Sequence, residues 1–67
     1  MAPNDVQLRV LFEILRQDLR FQWRTRYLEV LPSGIIVIIF EQATNNNWRC
    51  LYTIPQNGKW KRRELYV

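Results

Sequence analysis

Residues 35–40 read Ile-Ile-Val-Ile-Ile-Phe, an unbroken apolar run in a chain of 67 residues. Successive side chains of a strand point to opposite faces, so no register hides this run on one side. Runs of this kind belong to strands buried on both faces. Two layers must therefore cover the segment. It is also far shorter than the ~20 residues that cross a bilayer as a helix, which predicts a sheet centre and no membrane association.

The strand-like period continues on both sides of the run. The expected strands are "YLEVL" (27–31), "IIVIIFE" (35–41), "WRCLYTI" (48–54) and "WKRRELYV" (60–67), separated by "PSG", "TNNN" and "PQNG". These spacers hold the residues that supply tight turns, and the order predicts an antiparallel meander. Asn57-Gly58 has the composition of a two-residue type I′ hairpin. That turn would pair Ile54 with Lys61, Tyr52 with Arg63, Cys50 with Leu65 and Trp48 with Val67. Three-residue loops at 45–47 and 32–34 would align Phe40 with Tyr52, Ile38 with Ile54, Val30 with Ile36 and Leu28 with Ile38. One residue of slip would exchange the faces.

A helix is expected over about 5–25. Asn4 or Asp5 can cap it, and Gln7 stands three beyond Asn4, the capping-box spacing. At about 100° per residue, Val6, Val10, Ile14 and Phe21 form one apolar stripe. Leu8, Phe12, Leu15, Leu19 and Trp23 form a second, with Leu11 between the two. Arg9, Glu13, Arg16, Gln17, Arg20 and Arg24 make the polar ridge. A helix apolar over most of its circumference is covered on more than one side; here one stripe is expected to meet the sheet and the other a second copy.

The expected fold is α+β, one N-terminal helix packed on a four-stranded antiparallel meander, in a single small domain over 1–67. The register places Leu28, Val30, Ile36, Ile38, Phe40, Trp48, Cys50, Tyr52, Ile54, Leu65 and Val67 toward the helix, with Lys61 and Arg63 near the hairpin end. The outer face would collect Tyr27, Leu31, Ile35, Val37, Ile39, Leu51 and Tyr66, rimmed by Glu29, Glu41, Arg49, Thr53, Arg62 and Glu64. An apolar patch with a polar rim is the form of a protein interface. With a single helix available, a twin subunit or another protein must cover it.

Formal net charge is +4, and arginine supplies eight of the ten cations. Basic chains favour anionic partners. The candidate nucleic-acid contacts are Arg16, Arg20, Arg24, Arg26, Lys59, Lys61, Arg62 and Arg63, with Trp60 as the aromatic platform. Trp23 and Trp48 are needed in the core. Each group also has a plain structural use: the helical arginines as a solvated ridge, and the charges of residues 58–67 as protection for an edge strand.

Catalysis finds no support. The chain has no histidine and a single cysteine, no glycine-rich phosphate loop, and no nucleophile beside an evident base. No cofactor, metal or small-molecule substrate is expected, since one thiol without histidine cannot build a zinc site. Cys50 reads as a small core residue. The lack of any internal disulfide favours a reducing, cytoplasmic setting, and "MAPNDV" is negative where a signal peptide would begin basic. The expectation is a small non-catalytic accessory or regulatory module that forms a homodimer and docks on another protein. The alternative is a nucleic-acid binder using the basic, aromatic-containing surface.

Overall fold

The computed structural model describes residues 2–20, 23–45 and 47–66, and the side chains of Asp18, Leu19, Arg20 and Trp23 lie outside that description. Helix α1 spans Asp5–Arg20. Strands β1 (Trp23–Val30), β2 (Ile36–Gln42), β3 (Trp48–Ile54) and β4 (Lys61–Tyr66) follow. They form one four-stranded sheet in the order β1-β2-β3-β4, antiparallel throughout, so the fold is the expected α+β arrangement. Among the described residues no helix is long and apolar enough to cross a membrane.

Helix α1 begins in a capping box. Asn4 Oδ1 accepts from the Gln7 backbone N–H at 2.9 Å, and Gln7 Oε1 accepts from the Asn4 N–H at 3.0 Å. Two donors that the first turn leaves without partners are thus satisfied reciprocally. The Asn4 carbonyl then accepts the first helical hydrogen bond, from Leu8 at 3.0 Å. The helix ends earlier than the expected residue 25. Trp23, Arg24 and Thr25 pair instead with Gln42, Glu41 and Phe40 of β2. No Gly or Pro marks this stop in the sequence; cross-strand pairing overrides the helix propensity of the segment. Of the anticipated helical stripes, Phe21 and the side chains of Leu19 and Trp23 lie outside the described residues, and Phe12 is 61% exposed.

The core lies between α1 and one face of the sheet. Ile14, Ile36, Ile38, Phe40, Cys50, Tyr52 and Ile54 form one buried cluster, with Val10, Leu11, Leu15 and Val30 packed at its margin. Phe40 and Tyr52 meet edge to face, ring centroids 5.7 Å apart. Leu28 points to the same face but is 52% exposed, so the helix leaves this part of β1 uncovered. Val67, expected in the core, lies outside the described residues.

Register agrees with expectation at the first hairpin, where Val30 meets Ile36 and Leu28 meets Ile38. At the second, Ile38 faces Tyr52 and Phe40 faces Cys50, a slip of two residues that leaves every face unchanged. The third slips by one and exchanges the faces of β4. Trp48 pairs with Tyr66, Cys50 with Glu64, Tyr52 with Arg62 and Thr53 with Lys61. The cause is the turn. Gly58 N–H donates to Pro55 O at 2.9 Å, and Trp60 N–H donates to Gly58 O at 2.9 Å. Pro55–Gly58 is therefore the β-turn, with Gly58 in its last place at φ 79°. Arg62, Glu64 and Tyr66 turn toward the helix side, while Lys61, Arg63 and Leu65 turn outward.

Candidate functional site

The face of the sheet turned away from α1 is built by alternation. Ile36, Ile38 and Phe40 are buried, so Val37, Ile39 and Glu41 between them point away from the helix. The pairings extend these positions into three rows across the strands. The first is Glu29, Val37, Thr53, Lys61; the second Tyr27, Ile39, Leu51, Arg63; the third Arg24, Glu41, Arg49, Leu65. Val37, Ile39, Leu51, Thr53 and Leu65 are half-buried, as are Ile35 and Leu31 at one end, while Tyr27 is exposed. Of the seven residues expected on this face, Tyr27, Val37, Ile39 and Leu51 lie in these rows, and Ile35 borders the hollow beside Thr53 and Lys61. Tyr66 does not lie in these rows: it stacks on Trp48 with ring centroids 5.8 Å apart and planes 7° from parallel. Leu65 takes the outer position instead.

Charge is distributed unevenly over this face. Glu41, only 8% exposed, is held by Arg24 Nη2 at 3.0 Å and Arg26 Nε at 3.5 Å. A register irregularity between Thr25 and Tyr27 lets both arginines reach it. Glu29 accepts a hydrogen bond from the Tyr27 hydroxyl. On β4, neither Lys61 nor Arg63 has an acidic partner among the described residues. Arg49 Nε is buried and likewise lacks a hydrogen-bond partner there. The β1 border thus carries Glu29 at one end and Arg24 and Arg26 around Glu41 at the other, the β4 border is basic, and the centre is aliphatic.

The cations expected to form one anion-binding surface fall into separate groups. Arg24 and Arg26 sit on β1 with Glu41. Lys59 and Lys61 line a shallow hollow of about 190 Å³ with Ile35, Thr53 and Pro55 on the outer side. Arg16 lines an open cleft of about 400 Å³ with Glu13, Gln17 and Trp60 on the helix side. Arg62 reaches the same side, its guanidinium 6.0 Å from the centre of the Tyr52 ring. Burial works against the Arg62 charge, but the Glu64 hydrogen bond at 2.8 Å and the neighbouring Cys50 and Tyr52 hold its pKa above the ordinary arginine value. The Arg20 side chain lies outside the described residues. Trp60 is 46% exposed and tilts against Tyr52 at 5.6 Å.

Sequence reasoning missed the outward place of Leu65. A glycine in the fourth place of a type I turn was the signal that could have found it, since "PQNG" fits that turn as well as the shorter hairpin. Glu41, expected as a solvated rim acid, is instead the buried anchor of two arginines. No protein-family model, curated protein or solved structure matches the chain significantly.

Proposed function

We propose that this protein is a non-catalytic accessory or regulatory interaction module that self-associates through the open face of its sheet and docks on another protein. The observation that carries this reading is the second, outward apolar surface of β2 and β3. Val37, Ile39 and Leu51 lie in adjacent rows there, and the helix occupies the opposite face. Each aliphatic side chain withdrawn from water contributes about 25 cal/mol per Å² of apolar area, so an uncovered face of this kind favours association. A cytoplasmic setting belongs to the same reading and is supported by the chain's single cysteine, Cys50, which is buried in the core. Light scattering over a micromolar dilution series tests it. The expected mass is twice the 8.2 kDa of the chain, falling on dilution.

The alternative, a nucleic-acid binder, draws on the helix-side cleft. Half-exposed Trp60 stands there beside Arg16, with Arg62 on the adjoining Tyr52 ring. An aromatic face flanked by guanidinium groups is what an unpaired base requires. Dispersal of the other cations over the opposite face makes this the weaker reading.

A further inference from the structure

We infer that a second copy of this chain covers the open face with its strands aligned, so that β1 of each chain lies over β4 of the other. This deepens the self-association reading and rests on it. Packed sheets keep their strands within about 30° of one another, and a symmetric pair must present the same patch from both sides. A two-fold axis in the plane of packing can run along the strands or across them. Along the strands, it lays every row over the same row of the partner in reverse order.

The rows match under that operation. In the first, Glu29 lies over the partner's Lys61, and Val37 over the partner's Thr53. In the second, Ile39 lies over the partner's Leu51, and Tyr27 receives the partner's Arg63 on its ring. In the third, Glu41 lies over the partner's Arg49, and Arg24 over the partner's Leu65. Lys61 and Arg63, without acidic partners in their own chain among the described residues, thereby gain an acid and an aromatic ring. An axis across the strands places each strand on its own copy with the rows in reverse order: Glu29 then meets the partner's Arg24, but Lys61 meets the partner's Leu65, Glu41 the partner's Val37, and Arg63 the partner's Arg63. Like charges so placed oppose docking. The charge pattern therefore selects the first orientation.

Charge exchange tests this directly. Glu29→Lys, Lys61→Glu and the double variant are compared with the wild type by sedimentation equilibrium at low salt, with circular dichroism on each. Every single variant sets two pairs of like charges in contact and is expected to dimerise at least ~10-fold more weakly. The double variant restores opposite charges at both contacts and keeps the net charge at +4, so its affinity is expected to return to within a few fold of wild type. Arg63→Glu, an independent probe of the second row, is expected to weaken the dimer as well. A wild-type dimer whose affinity ignores the single changes, or whose double variant is weaker than either single one, overturns the orientation while self-association stands. A wild type that stays monomeric overturns both.

Discussion

The side-chain amide of Gln7 donates to the carbonyl oxygen of Gly34 at 2.7 Å, and to that of Ile54 at 3.0 Å. One residue thus closes the capping box of α1 and ties the start of the helix to the β1–β2 loop and the end of β3. Gln7 is fully buried, and buried amides of this kind cost most when a partner is removed. Gln7→Met keeps the side-chain volume and removes both donated bonds together with the Oε1 acceptor of the capping box, so it is expected to lower stability by about 2–3 kcal/mol. Asn4→Ala, which removes the cap and the exposed hydrogen bond from Asn4 Nδ2 to the Gln56 carbonyl at 2.9 Å, is expected to cost about 1 kcal/mol. Urea unfolding followed by circular dichroism measures both; equal small losses would show that the amide bridges contribute little.

Gly58 combines two constraints in the turn before β4. Its φ is +79°, and a Cβ added there would stand 2.5 Å from Val6 Cγ1. Gly58→Ala is expected to cost about 1–2 kcal/mol from the left-handed backbone alone, with the overlap adding to it. Val6→Ala removes the overlapping methyl and is expected to recover the added part only. A double-mutant cycle by denaturant titration checks this; strictly additive losses would mean the helix yields without cost.

Much of the architecture is legible in the residues themselves. The capping box is a local pattern, and the helix-then-meander order follows from turn residues and hydrophobic period. The two-sided apolar character of Ile35–Phe40 needs no register at all. What the residues leave ambiguous is decided by pairing between distant segments. The end of α1 depends on β2 capturing Trp23–Thr25. The faces of β4 depend on which of two turns "PQNG" adopts, and one residue of difference moved Tyr66 inward and Leu65 outward. The central outer residues Val37, Ile39 and Leu51 were legible because the slip at the second hairpin was an even number, which preserves faces.

The helix-side cleft makes a prediction of its own for the nucleic-acid reading. If Trp60 stacks on bases, Trp60→Ala is expected to weaken binding of a single-stranded oligonucleotide by about 1–3 kcal/mol. Arg62→Ala is expected to lower both the affinity and its salt dependence, since each neutralised phosphate releases counterions. Fluorescence anisotropy across a salt series reads both effects. No retention of any oligonucleotide at ~50 mM salt, where such contacts are strong, rejects this alternative.

The central claim, that the open face of the sheet is an interface, is tested most directly at Val37. This half-buried residue lies on the inner strand β2 in the first row of the face, between Glu29 of β1 and Thr53 of β3. Val37→Lys leaves Ile36, Ile38 and Phe40 of the core in place, and at an interface it buries an added charge beside a Glu29 already committed to the partner's Lys61, which costs several kcal/mol. Sedimentation equilibrium of wild type and variant, paired with circular dichroism, is the decisive measurement. The account predicts a dimeric wild type of twice 8.2 kDa and a folded, monomeric variant. A folded variant that associates as strongly as the wild type would contradict it.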